Sequence, residues 1–107
     1  MEYVGEFRYG KKWNGKGYDE KGNIVYELKN GNGKVREYVN DHLSFIGEYL
    51  NGKKTGKGKE YNSFGKLKFE GEYLNGRKNG KGKEYNTFNG KIEFEGEYRE
   101  NKRIWNN

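Results

Sequence analysis

Residues 45–68 read FIGEYLNGKKTGKGKEYNSFGKLK, and residues 69–93 read FEGEYLNGRKNGKGKEYNTFNGKIE. With one inserted residue at Asn89, 18 of 24 aligned positions are identical. A period of this length is typical of architectures in which stacked supersecondary units bury an apolar face that no single unit buries alone. Any binding surface is therefore expected to recur from unit to unit.

Each repeat opens with a segment in which apolar and charged side chains alternate. In the segment 66–74, one side of the chain carries Leu67, Phe69, Gly71 and Tyr73. The other side carries Lys66, Lys68, Glu70 and Glu72, and the same register of apolar residues returns at 43–49 and 92–98. Alternation with a period of two predicts half-buried antiparallel strands with their aromatic side chains facing inward.

Asn-Gly pairs indicate where the chain reverses, because both residues tolerate positive φ. We expect polar loops at LNGKKTG, residues 50–56, and at LNGRKNG, residues 74–80. The second strand of each hairpin is then GKGKEYN, at 56–62 and 80–86. Its alternate glycines leave one face bare, so that a ring from a neighbouring strand can lie over the backbone. The predicted fold is all-β, an elongated single antiparallel β-meander of stacked hairpins with open ends.

The whole chain of 107 residues is expected to be one domain, since no shift in composition marks a linker. Its predicted units are 3–23, 24–44, 45–68, 69–93 and a partial unit at 94–107. Apolar residues make up only 30%, a share that by itself favours disorder. The repeat argues against disorder, because Tyr and Phe recur at fixed positions and can form the core.

Charge and cysteine content bear on the partner and the compartment. The net charge of +6 favours acidic partners of some kind. The chain has no Cys, an N-terminal segment without an apolar region of the signal-peptide type, and no apolar run of membrane-spanning length. The expected location is the cytoplasm, with peripheral association at a membrane as an alternative.

The glycine spacing resembles the MORN repeat (membrane occupation and recognition nexus). It reads F-x-G-x4-G-x3-G-x-G-x6-G over residues 45–65 and returns over 69–90 with one insertion. Leu28 replaces the first glycine of unit two, and Asn101 and Trp105 stand at glycine positions near the C-terminus. The resemblance implies a curled antiparallel sheet with a shallow groove. It also implies a role in protein scaffolding, self-association or binding of anionic phospholipids, with no catalytic residue.

Motifs for catalysis, cofactors and metals are weak. His42 lies in a predicted turn beside Asp41 and is most simply a solvated residue. The segment 56–59 lacks the spacing of a phosphate loop and recurs at 80–83, whereas an active site is expected once. Repeated Glu residues are interpreted as cross-strand partners of lysines on the solvated face. Because most aromatic residues point inward, nucleic-acid binding is not favoured. We predict no catalytic, cofactor-binding or metal-binding residue.

Two candidate surfaces remain. The leading prediction is a protein or peptide partner, or a second copy of the chain, bound at the open sheet ends and at a concave aromatic face. The residues predicted to bind the partner are Tyr49, Tyr73, Tyr98 and Trp105. The alternative is an anionic lipid surface bound by a ridge of aligned loops, with the residues Lys11, Lys12, Lys53, Lys54, Arg77, Lys78, Lys102 and Arg103. A ridge that only aids solubility is also consistent with this pattern.

The C-terminal sheet edge favours self-association. Phe94 to Tyr98 form a well-patterned strand, but the strand that follows is short. An edge with unpaired backbone groups invites pairing with another chain. We expect such pairing unless the C-terminal residues fold back over the edge as a cap, namely Arg99, Lys102, Arg103 and Trp105.

Overall fold

Residues 3–105, which a computed structural model describes, form ten antiparallel β-strands. The strands are β1 Tyr3–Arg8, β2 Lys11–Tyr18, β3 Ile24–Leu28, β4 Gly33–Val39, β5 His42–Leu50, β6 Lys53–Tyr61, β7 Leu67–Leu74, β8 Arg77–Tyr85, β9 Ile92–Arg99 and β10 Lys102–Ile104. Strands β1 to β3 form one sheet, and β4 to β10 form a second sheet, both in chain order. The predicted open meander is confirmed, except that it divides into two sheets at the turn between β3 and β4.

The Asn-Gly turns are confirmed, but the loops are shorter than predicted. Asn51 has a φ of 52° and Gly52 a φ of 78°, so that two residues suffice to reverse the chain. Strand β6 therefore begins at Lys53, not at Gly56. The additional residues form a bulge at Gly56, where φ is 64° and the pairing of β5 with β6 shifts. The same arrangement recurs in the next hairpin, with φ of 105° at Gly80.

The core lies on one face of the sheet, here called the aromatic face. Its buried residues are Tyr26, Leu28, Val35, Phe45, Phe69, Tyr73, Phe94 and Tyr98. A single sheet buries these rings because they lie over glycine: a Cβ on Gly58 would be 2.9 Å from Cε1 of Phe45. Neighbouring rings also meet edge to face, with centroids 5.3 Å apart for Phe69 and Tyr98. The ring-over-glycine arrangement expected from the Gly-x-Gly spacing is present.

The hairpin turns stack along one side of the molecule, here called the turn edge. The N–H of Gly52 donates to the carbonyl of Gly31 at 2.9 Å. One hairpin further on, the N–H of Gly76 donates to the carbonyl of Lys54 at 2.9 Å. Because each turn bonds to the previous hairpin, the molecule extends as a body of 46 × 28 × 17 Å.

The C-terminal edge is partly capped. Strand β10 pairs with residues 97–99 of β9. The ring of Trp105 packs against that of Phe94, with 4.8 Å between the centroids, while 66% of Trp105 stays exposed. The outer side of residues 92–96 has no partner strand within the described part of the chain.

Candidate functional site

A cation lies over each phenylalanine of the aromatic face. The distances from cation to ring centroid are 4.3 Å for Lys54 and Phe45, 4.2 Å for Lys78 and Phe69, and 4.9 Å for Arg103 and Phe94. Strand pairing explains the positions, because Lys54 is opposite Tyr49 and therefore shares its face. These contacts have the distance of cation–π interactions, which stabilise the fold.

Glutamates bind the tyrosines and cations of the same face. The hydroxyl of Tyr98 donates to Oε1 of Glu84 at 2.7 Å, and Arg103 donates to the same carboxylate. In the previous unit, Tyr73 donates to Glu60, whose Oε2 lies 3.9 Å from Nζ of Lys54. Two units earlier, Tyr49 donates to Glu37 at 2.9 Å and Lys12 pairs with it at 2.7 Å. Sequence reasoning placed Glu60 and Glu84 on the solvated face, and that placement is wrong.

The clusters shift the pKa values of their members. Burial, together with the interaction with a carboxylate, raises the pKa of Tyr49, Tyr73 and Tyr98. The hydrogen bond from Arg103 lowers the pKa of Glu84. The neutral form of the three phenols and the charged form of Glu84 are therefore favoured.

The aromatic face does not offer its rings to a partner, as the sequence had predicted it would. Tyr73 and Tyr98 are 4% and 2% exposed, and Tyr49 is partly buried, so these rings are core residues. Trp105 alone among the four predicted residues is largely exposed. The rings are covered because the cations and carboxylates of their own face lie over them, which alternation alone does not reveal.

The predicted ridge of cations is divided between two environments. Lys12, Lys54, Lys78 and Arg103 lie against the aromatic rings. Lys11, Lys53, Arg77 and Lys102 remain at the turn edge. Among these, Arg77 lies 3.7 Å from Glu100. The division follows from the short turns, because consecutive residues of a strand point to opposite faces.

The opposite face of the sheet forms an open groove of about 1350 Å³. Its charged residues are ordered by strand, and we call each strand's pair a charge stripe. The stripes are Lys57 and Lys59 on β6, Glu70 and Glu72 on β7, Lys81 and Lys83 on β8, and Glu95 and Glu97 on β9. The sign therefore changes at every strand across the groove.

Contacts within the groove hold several of these side chains in place. Nζ of Lys83 lies 3.8 Å from Oε2 of Glu95. The backbone N–H of Lys81 donates to Oε1 of Glu72 at 2.7 Å. The hydroxyl of Tyr85 donates to Glu70, and this hydrogen bond raises the pKa of Tyr85 to about 12. The groove thus has a patterned polar lining.

Comparison with known proteins places the repeat in a family. The family description "MORN repeat" matches residues 3–17, 45–63 and 69–87. The chain belongs to the MORN-repeat family. MORN repeats are known for interaction with proteins or membranes and are a non-enzymatic repeat type.

Other comparisons add little to this assignment. No curated protein matches the chain. Among solved structures, the crystal structure of TarM is similar, with 12% identity and a TM-score of 0.40. The alignment covers 84% of this chain, which spans 18% of the length of the TarM chain.

Sequence reasoning missed two features of this MORN array. It described the Lys and Glu residues as solvated pairs but did not recognise that Lys-x-Lys and Glu-x-Glu on successive strands produce stripes. It also overlooked Phe64 and Phe88, which are 79% and 99% exposed at the tips of equivalent turns. In both turns an Asn side chain accepts the phenylalanine N–H, at 2.9 Å and 2.8 Å. An Asn-x-Phe-containing turn was the available signal.

Residues 3–105 contain no cluster of three His, Cys, Asp or Glu residues suited to a metal ion. No helix with the length and apolarity needed to cross a membrane occurs in the same range. His42 is an exposed residue near the turn at Gly65.

Proposed function

We propose that this MORN array is a non-catalytic module whose charged groove binds a segment of a partner protein. The observation that carries the proposal is the ordered charge of the groove, which extends across β6 to β9. The aromatic face offers less, because its rings are buried beneath its own cations and carboxylates, whereas lysines of the groove such as Lys57 and Lys81 are exposed. The proposal therefore replaces the aromatic rings with the charge stripes as the contact surface.

The balance of positive and negative charge in the groove favours a protein partner over a membrane surface. Its lining contains six basic and five acidic side chains, so that it is close to neutral. An anionic bilayer presents charge of one sign and would meet acidic stripes as well as basic ones. A protein segment can carry both signs, and electrostatic complementarity then supplies specificity. The turn edge, the alternative lipid site, retains only half of its predicted cations.

A peptide-display selection against the protein tests this proposal. Selected peptides are measured against a groove variant, Lys57→Glu with Lys81→Glu, and an edge variant, Lys53→Ser with Arg77→Ser. All four side chains are exposed, so both variants are expected to fold, which thermal melting verifies. We expect at least tenfold weaker peptide binding by the groove variant and little change in the edge variant.

Vesicle co-sedimentation is the complementary measurement. Phosphatidylserine vesicles should bind the protein weakly at physiological salt, because surface charges are screened over about 8 Å there. Strong vesicle binding that the edge variant loses would overturn the proposal in favour of lipid. Selected peptides that bind the groove variant as well as the original protein would also refute it.

A further inference from the structure

The charge stripes have a fixed spacing. Adjacent strands of a sheet lie about 4.8 Å apart, so the four stripes lie at about 0, 4.8, 9.6 and 14.4 Å across the groove. Their order is basic, acidic, basic, acidic from β6 to β9. A partner lying across the strands would therefore need charges of alternating sign at about 5 Å intervals.

An α-helix meets this requirement. With a rise of about 1.5 Å per residue, positions i, i+3, i+7 and i+10 lie at about 0, 4.5, 10.5 and 15 Å. These positions also share one face of the helix. The largest mismatch with the stripes is about 1 Å, which long Lys and Glu side chains absorb easily.

An extended segment does not meet the requirement for charges of alternating sign at about 5 Å intervals. Residues on one side of a strand are about 6.7 Å apart, so that the second residue falls between an acidic and a basic stripe. The third falls near about 13.4 Å, closest to the fourth stripe, and the alternation is lost. Spacing alone thus distinguishes the two backbone conformations.

Two exposed apolar residues that lie outside the groove lining, beside it toward the turn edge, have a related spacing. Leu50 and Leu74 follow Glu48 and Glu72 by two positions and therefore project from the same face. Each is 53% exposed. They lie two strands apart, about 9.6 Å, close to the 10.5 Å between residues i and i+7 of a helix. An amphipathic helix can therefore place apolar side chains on this row and charged side chains on the stripes.

We infer that the partner segment is an α-helix whose successive turns carry acidic and basic side chains in alternation, Glu opposite β6 and β8 and Lys opposite β7 and β9. This inference rests on the proposed function and specifies its ligand. The match determines which helices bind and in which register. Side chains of the wrong sign would meet like charge, which disfavours other helices.

Two designed peptides of about 20 residues, a length suited to a helix in water, test the inference. Both have an Ala-rich background and two Leu residues seven positions apart. The alternating peptide carries Glu, Lys, Glu and Lys at i, i+3, i+7 and i+10, and the blocked peptide carries Glu, Glu, Lys and Lys there. Calorimetry should give at least tenfold tighter binding for the alternating peptide, with circular dichroism verifying equal helicity.

A charge-swapped variant tests the register. Lys81→Glu with Lys83→Glu makes the β8 stripe acidic, so that the sign order becomes basic, acidic, acidic, acidic. The alternating peptide should then bind roughly tenfold more weakly, a change of about 1.4 kcal/mol. A peptide with Glu, Lys, Lys and Lys at the four positions should recover the affinity for this variant. The unchanged melting temperature of the variant is the control for folding.

The outcomes separate this inference from the proposed function. Equal binding of the alternating and blocked peptides, or no recovery by the swapped peptide, would overturn the helix inference. If selected peptides still bind through the groove in that case, the proposed function stands. If no peptide depends on the groove residues, both are refuted.

Discussion

Replacing Gly82 with Ala should destabilise the protein, although its backbone does not require glycine. A Cβ at this position would lie 2.7 Å from Cε1 of Phe69 and 2.9 Å from Cε1 of Tyr98. Carbon atoms in favourable contact are about 3.5–4.0 Å apart, so that each ring would have to move by close to 1 Å. Both rings are almost fully buried and have little room to move.

The expected magnitude follows from two opposed effects. Overpacking a core costs about 1–3 kcal/mol, while Gly to Ala at a permitted φ gains about 0.4–1 kcal/mol from the unfolded chain. The net loss of about 1–2 kcal/mol corresponds to a melting temperature lower by roughly 5–15 °C for a domain of this size. Calorimetry on Gly82→Ala measures this change.

The repeat supplies an internal replicate and a control. Gly58 lies in the same relation to Phe45 and Tyr73, at 2.9 Å and 3.0 Å, so Gly58→Ala should lose a similar amount. Lys81→Ala changes a neighbouring residue that points into the groove, and it should alter stability by less than about 0.5 kcal/mol. A Gly82→Ala protein that melts at or above the temperature of the original would refute the ring-over-glycine packing.

Four further predictions concern the clusters, the units and the loop tips. Folding raises the pKa of the Tyr73 phenol, so this group stabilises the fold below pH of about 10 and loses that contribution as the pH rises further. The unfolding free energy of Tyr73→Phe should therefore fall less steeply at alkaline pH than that of the original protein. Because the Arg103 hydrogen bond lowers the pKa of Glu84, its contribution is present above pH of about 4.3 and is lost on acidification. Glu84→Gln should therefore flatten the acid limb of a urea-denaturation series, and an unchanged limb would count against the cluster. The isolated unit 69–93 should show no cooperative melt, since a lone hairpin is marginal in water. Phe88→Ser should leave the melting temperature unchanged, because the ring is 99% exposed; a drop of several degrees would mean that it packs in solution.

The local pattern of the sequence was sufficient to predict antiparallel strands, the Asn-Gly turns and the buried side of β5, β7 and β9. Period-two alternation specifies which residues share a face, and Asn-Gly pairs specify the reversal, because both signals depend on backbone geometry within a few residues. The alternate glycines were likewise a local signal for rings lying over bare backbone. Loop lengths were overestimated because the bulge at Gly56, which depends on pairing with β5, has no equally clear local signal.

Only the tertiary structure decided which charged side chains lie over the buried rings and which lie at the turn edge or in the groove. Lys53 and Lys54 are the same type of residue and adjacent in sequence, but Lys54 lies over Phe45 and Lys53 remains at the turn edge. Likewise Glu60 binds a buried phenol, whereas Glu70 and its neighbours form stripes in the groove. The distinction depends on register between strands that are distant along the chain. Cross-strand register is set by turns and bulges acting together, so single-residue patterns identify the two faces but not the partners on each face.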